Sequence, residues 1–184
     1  MSNLKSLLRW NPTVRQWLNW TVTVVSVFAC AIFLPFRLPG MELLGIGPNW
    51  PLIWVVAWSI NRTAFQGVLA GLVLGFIQDG MTSPHPTHAL SLVVVGILTG
   101  YFQKQRYIQE DFISVALIVF GMAMLAETVL AIQFSFVGDR TLAEIWTDHQ
   151  RIALSSAILS SLWAPVVYFP LSRWWKLVNS YEQT

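Results

Sequence analysis

Long apolar runs are separated by short breaks made of prolines, glycines and clustered polar residues. The run from Trp17 to Leu34 contains no charged residue, and Pro35, Arg37, Pro39 and Gly40 end it. Further runs cover about 42–60, 63–79, 88–103, 112–136 and 152–172. A helix needs about 20 apolar residues to cross a bilayer, so this pattern predicts six transmembrane helices with little chain left over. The second run is irregular at its start, where Gly45, Gly47, Pro48 and Pro51 crowd together. Its regular part, Asn49 to Ile60, is short for a span, which predicts irregular backbone before it or a locally thinned bilayer.

The third run carries the strongest periodic signal. Gly67, Gly71 and Gly75 recur every fourth residue, and Asp79 closes the same row. Side chains four apart share one helix face, so this helix offers a strip of bare backbone ending in a carboxylate. Ser83, Pro84, His85 and Pro86 then force a turn, because proline removes a donor and restricts the residue before it. In the fourth run Gly96 and Gly100 repeat the spacing, which predicts two antiparallel helices in close contact. The strip can be filled from within the chain or by a helix of another protein.

Composition fixes the surroundings. Hydrophobic residues make up 55% of the 184 positions and charged residues 11%, against roughly 25% charged in soluble domains. With a mean hydropathy of +0.57, one polytopic membrane domain, all-α, fits the whole chain from 1 to 184. The net charge of +2 is spread over the ends of apolar runs, which argues against nucleic acid as a partner.

Placed inside, residues 1–16, the polar run 103–111 and the tail 173–184 hold most of the basic residues. Only Arg37, Arg140 and Arg151 of the 11 fall on the other side. The positive-inside rule then puts both termini in the cytoplasm, with the Asp79–Thr87 turn and the Val137–Gln150 loop outside. Residues 1–16 mix Lys5, Arg9 and Arg15 with leucines and Trp10, as expected of a segment at the lipid headgroups. Arg173, Trp174, Trp175 and Lys176 read as an interfacial anchor.

Candidate chemistry is sparse. Cys30 is the only cysteine and lies in the first apolar run, so no intrachain disulfide forms. Asp79, His85 and His88 are close in sequence, yet a zinc site needs three or four ligands, and neither a cysteine nor a second acidic residue completes the set. Glu127 lies well inside the fifth run, flanked four residues away by Ala123 and Ala131. A carboxylate at that depth is costly and faces other helices or a water-filled cavity. The last run has Ala153, Ala157 and Ser161 in one row, with Pro165 and Pro170 expected to kink its far end. No metalloprotease, serine-nucleophile or phosphate-loop motif is present, so neither an enzyme nor a cofactor is expected.

GPNWPLIWVVAWSI at 47–60, GVLAGLVLGFIQDGMTSP at 67–84 and HALSLVVVGILTGYF at 88–102 resemble the rod shape-determining protein MreD family. QKQRYIQEDFISVALIVFGMAMLAE and DHQRIALSSAILSSLWAPVVYFPL are similar to its cyanobacterial members. Gly67, Gly71, Gly75, Asp79, Ala89 and Leu90 match the family's general pattern. The resemblance implies six transmembrane helices with a fold similar to the substrate-binding subunits of energy-coupling-factor vitamin transporters. It also implies a scaffold of the cell-elongation complex that supports peptidoglycan synthesis and regulates cell shape. The implied partner is MreC, a single-span protein that links it to MreB and to the cell-wall polymerase and transpeptidase, with membrane lipid around it. On this basis Gly67, Gly71, Gly75, Asp79, Ala123, Glu127 and Ala131 are the candidate packing and partner-binding residues. The rival reading is a vitamin-like small-molecule binding subunit of a membrane transporter.

Overall fold

The computed structural model describes residues 12–36, 40–82, 86–104, 111–137 and 141–180. The N-terminal residues up to 11, Arg37, Pro39, Ser83, Pro84, His85, the polar run 105–110, Asp139, Arg140 and the tail beyond 180 lie outside the described residues. The described residues form six helices: α1 (Pro12–Phe33), α2 (Trp50–Ser59), α3 (Ala64–Met81), α4 (His88–Lys104), α5 (Phe112–Val137) and α6 (Leu142–Ser180). Among them there is no strand, only an isolated bridge between Leu43 and Ile46. Thr13–Phe33, Ala64–Met81, Phe112–Val137 and Leu142–Val178 are long and apolar enough to cross a membrane, and Trp50–Ser59 and His88–Phe102 are shorter apolar helices.

Helix α2 is the centre of the bundle. Its sequence, WPLIWVVAWS, is apolar all round, and every residue except Trp58 is buried. A helix with no polar face has to be surrounded, and α2 touches all five others. At 10 residues it spans about 15 Å, half the hydrocarbon thickness. Its start is fixed by Asn49, whose side-chain oxygen accepts from Leu52 N at 3.1 Å, and by Pro51 in the first turn. Trp54 Nε1 donates to Ser26 Oγ on α1 at 2.8 Å, and Asn49 N donates to Ser160 Oγ on α6 at 2.9 Å.

The chain before α2 is a tight two-residue turn. Leu43 and Ile46 exchange backbone hydrogen bonds of 2.9 and 3.0 Å, and the residues between them, Leu44 and Gly45, have φ of 56° and 77°. Two successive positive φ values make this a primed hairpin turn, a conformation natural to Gly45 and strained for Leu44.

Helices α3 and α4 meet backbone to backbone. A Cβ added at Gly71 would lie 2.5 Å from the carbonyl oxygen of Leu92, and one at Gly100 would lie 2.7 Å from Ala64 Cα. Gly67 faces Gly96, and Gly75 faces Ala89, with even less room. The start of α3 is held by a capping box, in which Gln66 N donates to Thr63 Oγ1 at 3.4 Å and Thr63 N to Gln66 Oε1 at 3.2 Å.

Helices α5 and α6 form the second close pair, with small side chains buried along it. On α5 these are Ala123, Ala126 and Ala131; on α6 they are Ala153, Ser156, Ala157, Ser160 and Ala164. The buried α6 row passes through Ser160 and leaves Ser161 partly exposed, because a strict four-residue step drifts off a helix of 3.6 residues per turn. The segment 142–150, expected as loop, is the first part of α6. Thr141 N donates to Glu144 Oε2 at 3.1 Å and Glu144 N donates to Thr141 Oγ1 at 3.4 Å, a second capping box that starts the helix there. The helix continues through Pro165 and Pro170 to Ser180.

Large apolar side chains cover the outside, including Trp17, Trp20 and Phe28 on α1, Phe65 and Phe76 on α3, Ile113 and Leu117 on α5, and Leu162 and Val166 on α6. In water such a surface would be aggregation-prone; against lipid tails it costs nothing.

Candidate functional site: a capped turn beside a polar cleft

Asp79 sits in the last turn of α3, where its carboxylate caps the next helix across the turn. Asp79 Oδ1 accepts from His88 N at 2.7 Å and from His88 Nδ1 at 2.7 Å, and Oδ2 accepts from the Thr87 hydroxyl at 2.6 Å. Thr87 Oγ1 in turn accepts from Ala89 N at 3.1 Å. Two of the free donors at the start of α4 are thereby satisfied, and a negative charge stands at the positive end of its dipole. Gln133 Nε2 on α5 donates to Thr87 O at 3.1 Å, which fastens the turn to the second helix pair. With its side chain committed to Thr87 and His88, Asp79 contributes order to this turn. His88 faces Asp79, and among the described residues no group of three or more His, Cys, Asp or Glu is placed to hold a metal ion.

Glu127 occupies a different setting one helix away. Its neighbours on the same face, Ala123 and Ala131, are buried, while Glu127 itself is partly exposed to a cleft. Among the described residues no hydrogen bond or ion pair engages its carboxylate. The cleft has two lobes, of about 210 and about 300 Å³. Asn49, Gln78, Glu127 and Ile152 line both. The first lobe is closed by the irregular chain before α2, with Phe33, Met41 and Trp50; the second reaches His88, Asp148 and His149.

Gln78 is the residue that sequence reasoning passed over. Directly beside Asp79, it is buried, yet its Oε1 has no hydrogen-bond partner among the described residues. The signal was available, since an amide inside an apolar helix raises the same question as Glu127: what bonds it. Ser156 and Asn49, also lining the cleft, carry no sequence signal that separates them from ordinary small or capping residues.

The opposite end of α2 is aromatic and cationic. Arg62 lies 3.7 Å over the Trp58 ring and 5.8 Å from that of Trp175, and Trp58 stacks on Trp54 at 5.2 Å. Trp175, expected among the lipid headgroups, is instead buried with its ring edge-on to Trp58 at 5.2 Å. A nearly all-buried α2 leaves its terminal tryptophan in need of partners, and the far end of α6 supplies one.

A bundle of apolar helices, closed by small residues on two seams and polar chiefly at one end, defines an all-helical polytopic membrane protein. The family model of the rod shape-determining protein MreD matches residues 12–173, and the chain belongs to that family. The match runs from the start of α1 into the last part of α6, and membership gives the chain a role in rod shape determination within a family of structural proteins that work in the shape-determining complex. No curated protein and no solved structure matches the chain.

Proposed function

We propose that this protein is a non-enzymatic scaffold in the inner membrane of a rod-shaped bacterium, with both termini in the cytoplasm. It holds an MreC-like single-span partner, and through it MreB and the cell-wall polymerase and transpeptidase, so that peptidoglycan synthesis follows cell shape. The observation that carries this reading is the family match across all six helices. The geometry favours a partner on the outer surface, because the glycine strip of α3 is already filled by α4. Helix α1, with Trp17, Trp20, Val24, Phe28 and Ile32 exposed along it, offers one such apolar face. Gly67, Gly71 and Gly75 then serve as packing residues of one seam, Ala123 and Ala131 of the other, while Asp79 orders the turn and Glu127 supplies a polar contact. The fold is taken as similar to that of energy-coupling-factor substrate-binding subunits.

The experiment is a mild-detergent pull-down of the tagged protein from its native membrane, with proteins and small molecules identified together. Recovery of a single-span, MreC-like protein with cell-wall synthases, lost on Trp20→Ala with Phe28→Ala, supports the reading. Recovery of an ATPase pair and a bound metabolite supports the transporter-subunit reading, which the Gln78–Glu127 cleft favours.

A further inference from the structure

The cleft contains two polar groups that have no partner among the described residues. Gln78 is 7% exposed, its Oε1 bonds no described residue, and its side chain lines both lobes. Glu127 lines both lobes as well, and its carboxylate is engaged by no described residue. Neither is needed to hold the turn beside them, since Asp79 already caps α4 and Gln133 already ties α5 to Thr87. A buried acceptor without a donor, as at Gln78, is costly to the fold, and with the half-buried, unengaged Glu127 carboxylate lining the same cavity it points to a guest that supplies the donors.

The chemistry of that guest follows from what the walls carry. The lining holds carboxylates and histidines and, among the described residues, neither lysine nor arginine. Glu42 and Asp148 have interactions of their own, so the argument rests on Glu127 as counter-charge and Gln78 Oε1 as neutral acceptor. An ammonium group carries three donors and a positive charge, which suits one carboxylate and one amide oxygen. Beside them, Trp50 and Phe33, with ring centroids 5.4 Å apart, give one lobe an aromatic wall. Such a wall accepts an apolar body and attracts a cation at its ring faces. No described group of three or more metal-ligating side chains is present, which sets this guest apart from a divalent ion.

We infer that the cleft between α3, α5 and the chain before α2 binds a primary ammonium group, with Glu127 and Gln78 as its acceptors. This goes beyond the scaffold role and does not depend on it. The ammonium can come from an aminophospholipid headgroup entering from the bilayer or from a soluble amine, and both meet the same two acceptors.

The test uses the full chain in detergent, titrated with 2-phenylethylamine and with 2-phenylethanol, its neutral counterpart, and read by calorimetry. A parallel native mass spectrum compares phosphatidylethanolamine with phosphatidylcholine. The amine should bind one per chain and at least tenfold more tightly than the alcohol. Glu127→Gln should weaken the amine at least tenfold, and Gln78→Leu several-fold. Preferential retention of one phosphatidylethanolamine that the soluble amine fails to displace assigns the headgroup source; displacement assigns the soluble one. Equal binding of amine and alcohol, equal retention of the two lipids with no amine binding, or affinity untouched by Glu127→Gln overturns the inference. Should Glu127→Gln not fold, the amine-to-alcohol ratio on the unaltered chain decides alone, and a ratio near one overturns it.

Discussion

The α3–α4 seam and the Gln78–Glu127 cleft are built from adjoining parts of the same helix. Along the seam no side chain intervenes between the two backbones, and the carboxylate at its end bonds Thr87 and His88. At the cleft the buried Gln78 amide oxygen and the half-buried Glu127 carboxylate have no partner among the described residues. Gln78 and Asp79 are consecutive, and a step of about 100° around the helix is enough to send one to each region. The difference teaches how much one step around the helix decides: Asp79 finds partners across the seam while Gln78 lines the cleft, and closeness alone does not guarantee a partner, since Ser59 Oγ beside Gly67 has none among the described residues. Small residues bring the backbones of α3 and α4 close enough for a capping carboxylate to reach across.

The largest expected effect comes from forcing the seam open. Gly71→Leu should cost more than about 3 kcal/mol, because the Leu92 carbonyl it would strike is backbone and cannot swing aside. Monodisperse protein on size exclusion should be lost. Gly121→Ala is the matched control, since nothing lies within 4 Å of a Cβ there. It should be recovered at parental yield; equal loss of both variants would show that the seam is not special.

Removing the cap comes next. Asp79→Ala leaves His88 N and the Thr87 hydroxyl without their acceptor and should destabilise by about 2 kcal/mol, measured as a lower melting temperature in detergent. Smaller and of opposite sign is Leu44→Asn, which places a residue tolerant of positive φ in the primed turn ahead of the cleft. A gain of about 1 kcal/mol is expected, and a loss would mean that the exposed leucine is held by something outside the chain.

The smallest effect concerns pH. Asp111, exposed just before α5, is held below the usual carboxylate range, chiefly by a hydrogen bond from the Ser114 side chain. A carboxyl lowered on folding adds stability that is fully present above its unfolded pKa and fades as pH falls through the folded value. Ser114→Ala should therefore reduce this acid-side slope and leave stability at higher pH nearly flat, read from melting curves across acidic pH.

How much was legible in the sequence differs between the two regions for a physical reason. The seam announces itself, because glycine every fourth residue on two consecutive apolar runs has few uses other than close approach. Asp79 is visible as the end of that row, although its partners Thr87 and His88 are set by the turn. The cleft is made by what is missing between helices, and no residue pattern encodes a gap. Gln78 reads as one polar residue near a helix end, and Asn49 as part of an irregular entry to α2. The extension of α6 back to Leu142 was written as a capping box at Thr141 and Glu144, yet the surrounding Asp148, His149 and Gln150 make the segment look like a polar loop. Trp175 shows the same limit. A tryptophan beside arginine and lysine at the end of a span suits the interface, and only the half-buried Trp58 near the end of α2 explains why it turns inward.

The most direct test of the closed seam and the open cleft is to measure the melting temperatures of Asp79→Ala and Gln78→Leu side by side in one detergent, without added amine. Asp79→Ala should melt well below the parent, while Gln78→Leu, which removes a buried oxygen with no partner among the described residues, should melt at or above it. If Gln78→Leu falls as far as Asp79→Ala, the cleft is as fully satisfied as the seam, and the distinction between the two regions is wrong.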